Sequence, residues 1–303
     1  MLKPSKTQIS LIISLGLLVV AQLSFVMYRG YCPCEPSEVT YSAEVAHAKA
    51  LELVVPPEKT FEVGSVKELD SVFDRWDYNL KKVKSNGTIP RLYLAKLPGD
   101  MTTKKKSSNH TFVQALLPHI LKVNEQILAD RNRLLAMQER QKKGAHLHHS
   151  EKMWLSKLAS EYRCKSTKIE SLLAHVDVIP PSLALAQATL ETGGGRSHAA
   201  RKKNSTFGHM TRNNKVETFE SLLHSVKAYV LNLNRHSAYA SFRKARADLR
   251  TKNQKLCGHI LAVHLTKYSI RGVAYTKDLQ NLIHRFDLKS YDHVTLEHMR
   301  VKP

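Results

Sequence analysis

A chain of 303 residues with 42% hydrophobic content is long enough to bury a core and too apolar to be a disordered polymer. Its 47 Lys and Arg against 26 Asp and Glu leave a formal charge of +21, which points to a polyanionic partner: nucleic acid, a membrane surface or an anionic wall polymer.

Lys3 and Lys6 precede the apolar run ISLIISLGLLVVAQLSFVM at residues 9–27. At about 1.5 Å per residue this run spans roughly 30 Å of hydrocarbon, so residues 1–29 read as a transmembrane helix or signal segment. No small-x-small cleavage site follows, and Tyr31 stands where a lipoprotein signal needs a small residue before Cys32. An uncleaved anchor is therefore expected. The rest of the chain then lies outside the cytoplasm, and no nucleic-acid motif accompanies the charge, so nucleic acid is not expected as a partner.

Residues 30–62 carry Pro and Glu with few large apolar groups and read as a spacer. Residues 63–143 read as a satellite region that ends in a long helix. It opens with a helix in SVKELDSVFDRWDYNL, turns at Asn86 and Gly87, and continues in a short strand through Leu92 and Leu94. After the polar break MTTKKKSSNH, the residues Leu116, Ile120, Val123, Ile127 and Leu134 form one apolar stripe, predicting a helix from Phe112 to about Lys143. Pro118 is expected in its first two turns, where proline is best tolerated.

Residues 144–288 form the main predicted domain, followed by a tail at 289–303. Helical patterns recur at 153–174, 181–192, 221–233 and 254–265, and strand signals are scarce, so the fold class is mainly α. His146, His148 and His149 lack a completing ligand apart from Glu151 and read as a polar loop, so no metal and no cofactor is expected. Cys164 and Cys257 fit either a bridge in an oxidising compartment or two unpaired thiols.

The chemistry concentrates in VIPPSLALAQATLETGGGRSH, residues 178–198. Pro180 and Pro181 suit a helix start and Gly193 its end, which puts Glu191 in the last turn beside Leu183, Ala184, Gln187 and Ala188. The negative end of the helix and apolar walls both disfavour ionisation there. A carboxyl kept protonated near neutral pH suits a general acid for glycosidic cleavage. The glycines that follow are expected to let a polymer approach the backbone. The basic run Arg201, Lys202 and Lys203 suits the carboxylates of such a polymer, or a solvated helix end.

The segment IPPSLALAQATLETGGGRSHAARKKNSTFGHM resembles the core of the bacterial glucosaminidases of the flagellar muramidase and Bax type, whose pattern is IPPS-x-x-LAQA-x-x-ESGWG-x-S followed by NNLFG. SLLHSVKAYVLNLNRHSAYASFRKARADLR and LTKYSIRGVAYTKDLQNLI are similar to later motifs of that family, and the likeness runs over roughly residues 65–288. The resemblance implies an α+β lysozyme-like fold, with a helical lobe and a small second lobe around a peptidoglycan groove. It implies a hydrolase of the β-N-acetylglucosaminidase type in which Glu191 is the catalytic acid. Taken with the apolar run at 9–27, a bacterial protein of this kind is expected at the inner membrane with its main domain facing the periplasm, or secreted if the N-terminus is cleaved.

Residue by residue, the family pattern carries Asn204, Phe207 and Gly208 to the groove floor. Tyr239, Tyr268 and Tyr275 match its tyrosines, with Tyr268 taken as the one assisting catalysis and Tyr239 and Tyr275 as substrate-binding. Gly194 stands where relatives have Trp, and the segment between Phe207 and Phe219 is short, so the second lobe is expected to be trimmed. A second carboxylate is Glu217 or Glu220, with Glu217 favoured by position; the alternative nucleophile is the substrate's own acetamido group. A non-catalytic peptidoglycan-binding module and a structural envelope protein are the rival readings.

Overall fold

The computed structural model of the chain describes residues 60–102 and 106–297. The apolar run at 9–27, the spacer up to residue 59, Cys32 and Cys34 lie outside the described residues. No described helix is long and apolar enough to cross a membrane.

Among the described residues, four two-residue strands and eleven α-helices make a mainly helical unit. The strands are β1 (Thr60–Phe61), β2 (Thr88–Ile89), β3 (Tyr93–Leu94) and β4 (Thr295–Leu296). Two parallel pairs form, β1 with β3 (Thr60 opposite Tyr93) and β2 with β4 (Thr88 opposite Thr295). The segments read from sequence as a satellite and a tail therefore share a sheet across the whole chain.

The first helices are α1 (Val66–Arg75), α2 (Leu80–Asn86) and α3 (Lys106–Lys142). Helix α3 begins earlier than its apolar stripe, and this moves Pro118 out of the first two turns into the helix interior. A proline there has no N–H to bond the carbonyl four residues back, that of Gln114. Tyr78 supplies the missing donor: its hydroxyl donates to Gln114 O at 3.1 Å, while Gln114 Nε2 donates to Tyr78 O at 2.7 Å.

The expected helix at 153–174 is two, α4 (His149–Glu161) and α5 (Ile169–His175), broken where Arg163 turns to φ 50°. His146 and His148 precede α4 and His149 is its first residue; the Glu151 carboxylate accepts from His148 N–H and pairs with Arg140. Next come α6 (Pro181–Thr192), α7 (His198–Lys203), α8 (Leu222–Arg235), α9 (Ala240–Thr251), α10 (Gly258–Ala262) and α11 (Val273–Arg285). Cys164 and Cys257 are unbridged thiols. Between α7 and α8, where a trimmed second lobe was expected, the chain forms a hairpin closed by the antiparallel bridge of Met210 with Val216.

Helix α6 is the centre of the molecule, packed by α3, α10 and α11. Residues Pro181 to Thr189 are all buried, which explains why its sequence lacks amphipathic spacing: apolar side chains face neighbours on every side. Both of its approaches are tied down. Asn124 of α3 donates to Ile179 O at 2.8 Å and accepts from Ile179 N–H at 3.2 Å. Asp292 accepts from Ser182 N–H and Ser182 Oγ, both at 2.8 Å, and from Gly258 N–H at 3.2 Å. Just upstream, buried Asp177 meets Arg250 at 2.8 Å, Arg131 at 3.5 Å and Arg246 at 3.8 Å. Burial alone would raise this carboxyl, but the three guanidinium groups hold it below the usual range.

Candidate active site

Helix α6 ends at Gly193, and Gly193, Gly194 and Gly195 all hold left-handed φ values of 63°, 74° and 82°. Three consecutive residues in that region demand glycine. The turn is knitted by Gly194 N–H to Thr189 O (2.9 Å), Thr192 Oγ1 to Ala188 O (2.6 Å) and Gly195 N–H to Thr192 Oγ1 (2.7 Å). This cap fixes Glu191, half-buried, on the last turn.

Two groups surround the Glu191 carboxyl. Tyr275 of α11 donates its hydroxyl to Glu191 Oε1 at 2.9 Å. On the other side lies Gly208 at φ 67°, where an added Cβ would stand 2.9 Å from Glu191 Oε2. Burial raises the Glu191 pKa, and the Tyr275 hydrogen bond offsets part of that rise. Burial and the Glu191 charge push the Tyr275 phenol far above its ordinary value, so it stays a neutral donor. Behind it, Gln187 Nε2 donates to Tyr275 Oη at 3.1 Å, and the Tyr229 hydroxyl donates to Gln187 Oε1 at 2.6 Å. The arrangement is a carboxyl with a raised pKa, held by a phenol on one oxygen and bordered by bare backbone at the other.

Residues 167–288, which contain every group named around this carboxyl, match the family model described as Mannosyl-glycoprotein endo-beta-N-acetylglucosaminidase. The chain is also 32% identical over 224 residues to Protein bax of Escherichia coli strain K12, covering 69% of this chain and 77% of that protein. The chain belongs to the Bax family of glucosaminidase-domain proteins. No solved structure matches it.

In this Bax-family site the tyrosines are placed differently from their expected roles. Tyr275, taken from sequence as substrate-binding, is the one that touches Glu191. Tyr268, taken as the catalytic tyrosine, donates to Phe207 O at 2.8 Å and stacks on Tyr275 with ring centroids 5.5 Å apart. Tyr239 is buried against Tyr268, 5.8 Å between centroids. Phe207 is buried too, stacked 3.8 Å from the ring of Tyr229. Its contribution to the groove is its backbone, which carries Gly208 to the carboxyl. Asn204 caps α7 in the left-handed region and its Nδ2 donates to Phe219 O at 3.1 Å, which ties α7 to the end of the hairpin.

Gly194 is the clearest departure. It is buried, and a Cβ there would lie 2.2 Å from Asn109 Oδ1 of α3; at Gly195 it would lie 2.5 Å from Phe112 Cδ2. These two glycines let the cap pack on α3, so the close approach beside the acid belongs to Gly208. Glu217 donates its N–H to His209 O at 2.9 Å, which sets it across the hairpin from the neighbour of Gly208. Glu220 lies apart on the surface, 3.4 Å from His224.

The roles of three residues near the acid were not read from the sequence. Gln187, four before Glu191 on the same helical face, was noted only as a neighbour, and Tyr229 falls within the quoted SVKAYVLNLN motif. His209 follows Gly208, packs edge-on between Phe207 and Phe219, and is lowered by burial to about 4; neither of its ring nitrogens has a hydrogen-bond partner among the described residues. A cavity of about 330 Å³ opens elsewhere, between α2, α3 and Tyr291, and none of the residues around Glu191 lines it.

Proposed function

We propose that this chain is a glycoside hydrolase of the β-N-acetylglucosaminidase type, cutting β-1,4 bonds of the peptidoglycan glycan strand with Glu191 as general acid. The observation that carries this reading is the Glu191 carboxyl itself: half-buried at the end of a buried helix, raised in pKa, and bordered at Oε2 by Gly208, which has no side chain to block approach. Burial favours the protonated form of such a group, which gives its proton to a leaving sugar oxygen as the glycosidic bond breaks. Tyr275 then stabilises the carboxylate that remains. The match of residues 167–288 to the glucosaminidase family model supports a glycan substrate, and a lysozyme-like arrangement of α6 and its neighbours around the glycan agrees with the mainly helical fold.

The same reading puts the protein at the bacterial cell envelope, held by residues 9–27 with the enzymatic domain on the periplasmic side. Support comes from the Lys-flanked apolar run and from a charge of +21, suited to an anionic wall polymer. Incubating the full chain with purified sacculi and measuring released reducing ends tests the activity. Release supports the hydrolase; binding without release supports a non-catalytic peptidoglycan-binding module instead.

A further inference from the structure

Glu191 stands at the end of a chain of hydrogen bonds whose direction is set from its far end. Tyr229 is fully buried, and the only hydrogen bond of its hydroxyl among the described residues is the one it donates to Gln187 Oε1. With Oε1 so occupied, the other end of the amide is Nε2, a pure donor, and it donates to Tyr275 Oη. Tyr275 has a single hydroxyl hydrogen, which therefore points at Glu191 Oε1. Reversing the amide would let Nε2 donate to Tyr229 and Oε1 accept from Tyr275. Glu191 would then lose its donor, and the Tyr229 hydrogen would be buried with no acceptor.

We propose that Gln187 and Tyr229 are positioning residues for the acid: by fixing the Tyr275 hydroxyl toward Oε1, they confine the transferable proton of Glu191 to Oε2, the oxygen beside Gly208. This rests on Glu191 being the general acid. In the step itself the Oε2–H bond breaks as the glycosidic oxygen takes the proton and keeps the electron pair of the severed C–O bond. The negative charge left on Glu191 is met at Oε1 by a hydroxyl already aimed at it, so no group has to turn during the transfer. Water returns the proton to Glu191 when its hydroxyl is added to the sugar.

The geometry also couples the two sides of the carboxyl. Tyr229 is held by its stack on Phe207, whose carbonyl accepts from Tyr268 and whose chain neighbour is Gly208. The segment that borders Oε2 is thus the one that seats the residue directing Oε1.

The test is the pH dependence of reducing-end release by the full chain in Tyr229→Phe, Gln187→Met and Tyr275→Phe. Tyr229→Phe keeps the ring stack and removes only the hydroxyl, so the amide is free to reverse and Glu191 loses its dedicated donor. Loss of a hydrogen bond to a carboxylate raises its pKa, and the basic limb of the kcat profile should move up by about half to one pH unit with KM little changed. Gln187→Met should do the same, and Tyr275→Phe at least as much. Adding Tyr229→Phe to Tyr275→Phe should move the limb no further. A fall in kcat with the limb unmoved, or additive shifts in the double variant, would overturn the positioning role. The acid reading fails separately, if Glu191→Gln retains turnover. Titration of the Glu191 carboxyl carbon by NMR gives a readout independent of turnover: a higher value in Tyr229→Phe than in wild type is expected, and equal values would overturn the proposal.

Discussion

Pro118 lies inside a 37-residue helix, and the consequence can be measured. The Gln114 carbonyl, which has no partner within the helix, accepts from the hydroxyl of Tyr78, a residue 2% exposed. Tyr78→Phe leaves the ring and its edge-on contact with Phe73 in place and deletes only that donor. An unmatched buried carbonyl costs about 1–3 kcal/mol, which for a domain of this size lowers Tm by about 2–4 °C per kcal/mol. The second arm is Pro118→Ala, which restores an N–H at position 118 able to bond Gln114 within the helix. In that background Tyr78→Phe should cost much less, giving a coupling energy on the order of 1 kcal/mol in a double-mutant cycle followed by urea denaturation. Strict additivity, with Tyr78→Phe equally harmful whether residue 118 is Pro or Ala, would refute the reasoning.

Three further outcomes follow from the same contacts. Burial raises Asp292 from 3.8 to about 6, so its native state binds the proton more tightly than the unfolded chain. Its contribution to stability is complete below about pH 4 and declines by on the order of 2–3 kcal/mol as pH rises through about 6; Asp292→Asn should lack that component, and identical pH slopes in urea melts would contradict it. Glu191 is also raised by burial, so its ionised form costs stability: Glu191→Gln should melt higher than wild type at pH 8, with the gain shrinking toward pH 4, and a constant difference in Tm would show that burial does not perturb this carboxyl. Gly208→Ala puts a Cβ 2.9 Å from Glu191 Oε2 at φ 67°; it should cost about 1–2 kcal/mol of stability and roughly ten- to a hundredfold in turnover, and wild-type kinetics would remove Gly208 from the site.

The helix bearing the acid was legible because its ends are written in residues with few other uses, Pro180 and Pro181 at its start and three glycines after it. Its bounds, 181–192, and the isolation of Glu191 among apolar neighbours follow from those signals. The roles of the glycines did not. A triple glycine permits both an open approach and a left-handed cap packed on another helix, and only the position of Asn109 and Phe112, some eighty residues upstream, separates the two. The tyrosines were ambiguous for a related reason. Tyr268 and Tyr275 lie seven apart, the first in the turn before α11 and the second in its first turn, and which hydroxyl reaches Glu191 depends on how that turn and α11 seat against α6. Pro118 was misplaced because the first turns of α3 are polar and carry no apolar periodicity. The pairing of β2 with β4, about two hundred residues apart, leaves no local trace in two-residue strands.

The most direct test of the central claim is turnover of purified peptidoglycan by wild type and Glu191→Gln, with sacculus binding measured on the same samples. The amide is nearly isosteric with the carboxyl and still accepts from Tyr275, but it carries no transferable acid proton. The expected result is release of reducing ends by the wild type, a fall of about a hundred- to ten-thousandfold in the variant, and unchanged binding. A variant that keeps a third or half of wild-type turnover would contradict the assignment of Glu191 as the acid.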